Sequence, residues 1–124
     1  MTQKADNARW MALMYRVQNN DCPYQQLCVR ADAATTNNNG VELSYKTTGD
    51  WLYHAKTSYT EALSASKSYK FTIDVCGNSA DGYINGTKVI STMGLDPAYP
   101  TGRVGLQNCG STTSYDDVKV TINF

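Results

Sequence analysis

The sequence predicts an all-β chain folded as an antiparallel β-sandwich, and three observations carry that expectation. Strand-length runs alternate apolar and polar residues, which is the period of a half-buried strand. Turn signals interrupt those runs about every ten to fifteen residues. The composition, with nine Tyr, nine Gly and many Thr, Ser and Asn, suits pleated strands joined by polar turns. Only residues 60–68 (TEALSASKS) read as faintly helical, and they are too short to form a layer. About eight or nine strands without a helix of consequence leave a sandwich as the expected architecture.

The elements follow in order. Residues 9–18 (RWMALMYRVQ) alternate, with Met11, Leu13, Tyr15 and Val17 on one face. The segment NNDCP then turns the chain. Residues 24–31 place Leu27 and Val29 inward, and Asn39-Gly40 closes a polar loop. Residues 41–47 send Val41, Leu43 and Tyr45 to one side and Glu42, Ser44 and Lys46 to the other. Thr48-Gly49-Asp50 turns into a strand over 51–59, and residues 69–76 alternate again with Phe71, Ile73 and Val75 inward. Asn85-Gly86 lies between two β-prone runs and predicts a two-residue hairpin, because both turn positions need positive φ. Two last strands are expected at 103–108 and 115–124, the second aligning Val118, Val120, Ile122 and Phe124.

A length of 124 residues suits one domain, read as a polar lead-in over 1–8 and a single sandwich over 9–124. Eleven Lys and Arg balance eleven Asp and Glu, so the basic excess of a phosphate-neutralising nucleic-acid binder is missing. No apolar run approaches the ~18 residues that span a bilayer. The opening MTQKADNARW holds no apolar leader, so the chain is expected to be a mature product or an excised domain. A single His, His54, excludes a His-pair metal site; alternating with Trp51 and Tyr53, it is expected to face solvent.

The four cysteines contain no CxxC pair, which argues against a zinc ribbon and for disulfides in an oxidising, extracellular setting. An extended strand would hold Cys22 and Cys28 roughly 20 Å apart, so bridging them needs a fold-back of residues 23–27. Cys76 and Cys109 each end a strand and precede Gly, so a staple between them is the favoured pairing among three connectivities.

Hydrolysis of a glycoside needs two carboxylates facing across a cleft. Asp116 and Asp117 are adjacent on an expected strand and point to opposite faces, and no nucleophile elbow is present. Asp116 is expected to be structural, a rim carboxylate accepting backbone N–H groups from the loop before it; Asn85 and Gly86 are structural as the hairpin turn. No enzyme, cofactor or metal is expected. Binding is better served. Strand parity places Arg16, Gln26, Arg30, Glu42, Ser44 and Lys46 opposite the core residues, on one polar sheet face if the strands form a meander. Arg and Glu offer directed hydrogen bonds to sugar hydroxyls, and Tyr24, Trp51 or Tyr53 could supply the aromatic platform. The competing expectation is an ordinary solvated face.

Several pieces, in order, resemble the concanavalin A-like, laminin-G-like jelly rolls attached to secreted bacterial glycoside hydrolases. They are Ala12-Leu13-Met14-Tyr15-Arg16, Tyr24-Gln25-Gln26-Leu27, Tyr69 to Gly77-Asn78, Tyr83-Ile84-Asn85-Gly86, Gly102-Arg103-Val104-Gly105-Leu106 and Tyr115-Asp116-Asp117-Val118-Lys119-Val120. The resemblance implies a jelly-roll sandwich that binds a glycan or polysaccharide on a sheet or at a loop rim, beside a parent glycoside hydrolase. Such domains begin with further strands ahead of the first piece, whereas this chain starts almost upon it. The expectation is therefore a sandwich lacking its opening strands, with an exposed edge. The leading function is a non-catalytic extracellular carbohydrate-binding or accessory module. The alternative is a structural or adhesive subunit completed by a neighbouring chain through edge pairing.

Overall fold

The computed structural model describes residues 10–19, 22–30, 33–36, 40–64, 66–109 and 114–121. The lead-in expected over 1–8, Asn39, Ile122 and Phe124 lie outside the described residues. Among the described residues, eight strands form two sheets: β1 (Trp10–Val17), β2 (Tyr24–Arg30), β3 (Val41–Lys46), β4 (Trp51–Thr57), β5 (Phe71–Cys76), β6 (Ser79–Ile84), β7 (Thr87–Thr92) and β8 (Arg103–Cys109). The larger sheet runs β4-β3-β2-β1-β8 and the smaller runs β5-β6-β7. Every pairing is antiparallel. The all-β sandwich expectation holds.

Alternation dictates which side chains enter the layer between the sheets. Leu27, Val29, Val41, Leu43, Ile84, Ile90 and Leu63 form the principal core, with Met11, Leu13, Phe71 and Ile73 packed against it. Tyr15, Ala80 and Leu95 extend that core toward the far end, beside Val75. Leu27, Leu43, Val41, Val29 and Ile84 are all but sealed from solvent. Each such side chain contributes about 1.5–3 kcal/mol of transfer free energy. β2 is the middle strand of the larger sheet, and only Arg30 of its seven residues escapes full burial.

The Asn85-Gly86 hairpin forms as expected, with φ of 51° and 83°. Asn85 also caps the neighbouring segment, its Oδ1 accepting from the Lys70 amide at 2.9 Å. A one-turn 3-10 helix, Ala33–Thr36, was not foreseen. Its Thr35 is fully buried; the hydroxyl donates to the Arg30 carbonyl at 3.0 Å and accepts from the Leu63 amide at 3.2 Å. That one side chain ties residues 60–64 to the sandwich where a faint helix was read.

Three further points depart from expectation. The first three strands form the expected meander, but β8 joins the sheet on the outer edge of β1, a neighbour the sequence did not name. Residues 114–121 form no strand, and among the described residues none pairs with them; Val118 and Val120 are 62% and 61% exposed. Asp116 accepts from the amide after it, that of Asp117 at 2.8 Å, whereas most of the loop before it, 110–113, lies outside the described residues.

Candidate functional site

The antiparallel register stacks the outward side chains of the larger sheet into rows. Arg30, Trp10 and Cys109 form the first row, across β2, β1 and β8. Lys56, Glu42, Cys28, Ala12 and Gln107 form the second. Tyr53, Ser44, Gln26, Met14 and Gly105 form the third, and Trp51, Lys46 and Tyr24 the fourth. Trp10 and Trp51 come from strands that flank β2 and β3, yet their rings meet edge to face with centroids 5.9 Å apart. The two indoles therefore arch over the strands between them. This explains why polar side chains there are nearly sealed: Gln26 is 2% exposed, Glu42 3% and Ser44 1%. A groove of about 500 Å³ results, walled by Trp10, Trp51 and Tyr53 and floored by Gln26, Cys28, Arg30 and Glu42. Gln107, Asn108 and Cys109 of β8 close its far side.

The floor is electrostatically arranged. Arg30 donates from Nε at 3.1 Å and from Nη2 at 2.7 Å, both to Oε1 of Glu42. Glu42's other carboxylate oxygen and the remaining guanidinium hydrogens are the polar groups such a pair can offer a ligand. Gln26 Nε2 donates to Ser44 Oγ at 3.1 Å, and Gln26 Oε1 is buried with no partner. Turning the amide over would let Oε1 accept from Ser44 and leave Nε2 unmatched, so one end of Gln26 stays unsatisfied in either orientation. A buried amide atom in that state costs about 1–3 kcal/mol, a cost that a ligand hydroxyl would remove. Burial pushes the Cys28 thiol up, with the Glu42 carboxylate adding to the shift, so the floor carries a neutral thiol.

Five of the expected binding residues line this groove: Gln26, Arg30, Glu42, Trp51 and Tyr53. Tyr24 is buried at 5% and supports Trp51 from beneath, with rings 5.7 Å apart, so it is no platform. Burial raises its hydroxyl, which reaches the Gln107 side chain. Lys46 sets its ammonium 5.1 Å from the Trp51 ring centroid and holds that indole by cation–π attraction. Lys56 does the same for Tyr53 at 3.7 Å.

Arg16 is excluded from the groove. β1 bulges between Met14 and Val17, Arg16 takes φ 51°, and its Nη2 donates to the carbonyl of Gly77, in the turn between β5 and β6, at 2.6 Å. A second bulge, between Leu43 and Ser44 on their pairing with β4, leaves His54 as the extra residue. Contrary to expectation, His54 turns inward, stacks on Tyr45 at 4.3 Å and meets Gln25 Oε1 at 2.8 Å. Sequence reasoning missed the contribution of β8, because alternation within a strand says nothing about which strand lies next to it. It also did not place Trp10 among the expected binding residues, although Trp10 walls the groove.

The disulfides expected from the cysteine spacing are not formed; all four thiols are free. Cys28 lies in extended β2, which rules out the fold-back toward Cys22. Cys76 ends β5 in the smaller sheet, whereas Cys109 ends β8 in the larger one. Among the described residues, no group of three or more His, Cys, Asp or Glu is placed to hold a metal ion, and no helix is long and apolar enough to cross a membrane. No family model, curated protein or solved structure matches the chain.

Proposed function

We propose that this chain is a non-catalytic glycan-binding or accessory module that holds a polysaccharide in the groove of the larger sheet. The observation that carries the reading is Gln26, whose unmatched amide end is buried at the floor of an aromatic-walled groove. A sugar presents what that arrangement lacks: hydroxyls for the amide and the Arg30–Glu42 pair, and a C–H face for the indoles. Among the described residues, the groove lining carries one carboxylate, Glu42, already bonded to Arg30, whereas glycoside hydrolysis employs two. That supports binding over catalysis. Kinship with concanavalin A-like jelly rolls, partnership with a glycoside hydrolase and an extracellular location belong to the same proposal. They rest on the order of the sequence motifs, and the free thiols lend the location no support.

The test uses the chain's only two tryptophans, both of which wall the groove, so intrinsic fluorescence reports on the site directly. A glycan array selects the sugar class, and titration with a soluble hit follows the emission. Saturable change in the wild type, lost in Trp51→Ala, is the expected result. Folded protein that gives a blank array and unchanged emission with every polysaccharide tried overturns the proposal.

A further inference from the structure

We propose that residues Val118–Thr121 of one chain pair with the free edge of β5 in a second copy, giving a reciprocal dimer. The inference is independent of the glycan groove and goes beyond it. Three observations converge on it.

First, β5 is paired only with β6, so among the described residues its outer edge presents unpaired backbone groups. Long unpaired edges are templates for strand addition. Second, Val118-Lys119-Val120-Thr121 has the alternation of a strand but is not one, and both valines are more than half exposed. Third, the charges are complementary. Asp74 of β5 faces Asp81 directly across the pair with β6, and like charges so placed repel. Lys88 approaches Asp81 at 3.9 Å from the β7 side. A cation at the β5 edge would do for Asp74 what Lys88 does for Asp81.

One antiparallel register satisfies all of this. Val118 lies opposite Val75, Lys119 opposite Asp74, Val120 opposite Ile73 and Thr121 opposite Thr72. Ile73 and Val75 already face the core, so the valines extend the apolar layer while Lys119 and Thr121 face outward. The donor must come from another copy. Within one chain Tyr115 lies beside Phe71 at the start of β5, with its hydroxyl on the Gln107 carbonyl at 2.9 Å. From there the chain bends at Asp117 (φ 52°), and its own Val118–Thr121 leaves the outer edge of β5 unpaired with both valines exposed. Exchange between two copies supplies the antiparallel register above and is self-complementary, as a two-fold dimer requires.

Sedimentation velocity over a dilution series tests the pairing, with tryptophan emission and thermal unfolding verifying that each variant is folded. Wild type is expected to dimerise with rising concentration. Asp74→Lys and Lys119→Asp should each raise the dimer dissociation constant by about tenfold or more, since each turns attraction into repulsion. An equimolar mixture of the two variants restores both ion pairs across a heterodimer and should recover wild-type association, as should the double variant. A wild type that stays monomeric at every concentration overturns the proposal. So does association that ignores the charge swaps, or folded variants whose mixture fails to recover it.

Discussion

The guanidinium of Arg30 and the carboxylate of Glu42 meet across β2 and β3 at 2.7 Å, with side chains 12% and 3% exposed. They sit in neighbouring rows of one sheet face, so the pair is diagonal and spans two positions of the ladder. Both partners have left most of their hydration behind, and each depends on the other to offset that loss. Arg30→Ala strands a buried carboxylate and is expected to cost about 3–5 kcal/mol. Replacing both residues, Arg30→Met with Glu42→Leu, should cost far less, because no charge is left unpaired. Urea unfolding of the three variants decides the matter; equal losses in the single and double variants would show that packing, not charge, holds the site.

Gln26 makes the opposite kind of prediction. Its unmatched amide burdens the free protein, so removing it together with its partner, Gln26→Leu with Ser44→Ala, should raise stability by about 1 kcal/mol. The same change should abolish the fluorescence response to the glycan. Greater stability with lost binding is the signature of a group kept for a ligand. If stability falls instead, Gln26 serves the fold alone.

Arg16 separates the groove from the rest of the larger sheet. Arg16→Ala removes a bond to the Gly77 carbonyl and should leave glycan affinity within about twofold of wild type, since the guanidinium lies on the other side of the sheet. The bulge that turns it away depends on Gly102, where an added Cβ would stand 2.5 Å from the Arg16 carbonyl carbon. Backbone cannot yield as a side chain does. Gly102→Ala is therefore expected to cost about 1–3 kcal/mol. Gly49→Ala, with open space around it, should be nearly neutral. Matched melting curves of the two variants would refute this account of the bulge.

What was legible in the sequence follows from where the physics is local. Alternation placed Met11, Leu13, Leu27, Val29, Val41 and Leu43 in the core, and Asn85-Gly86 named its own turn. Gln26, Arg30 and Glu42 shared a face for the same reason. Two bulges broke the count: one carried Arg16 away from that face and the other turned His54 inward. Neither bulged segment, Met14–Val17 or Tyr53–Ala55, contains a glycine that would have marked it. The union of β8 with β1 is a long-range choice made by packing, so the far wall of the groove stayed hidden. Val118–Thr121 shows the limit from the other side: a strand pattern forms no strand without an edge to join.

The inward turn of His54 makes stability depend on pH in a calculable direction. Its ring is stacked on Tyr45, and its Nε2 lies 2.8 Å from Gln25 Oε1. Burial lowers its pKa from the ordinary 6.5. The unfolded chain then takes up its proton at a higher pH than the folded one. Stability from this residue is therefore intact above 6.5, begins to fall as the pH drops through that value, and stops falling once the folded histidine is also charged. His54→Gln keeps an amide donor for Gln25 and cannot titrate. The difference in urea midpoint between wild type and His54→Gln, followed from about pH 8 to about pH 5, should move against the wild type on acidification. Carboxylates common to both proteins cancel in that difference. A difference that is constant with pH would mean that His54 is as readily protonated in the fold as in the unfolded chain, and that its side chain faces water as strand parity alone suggests.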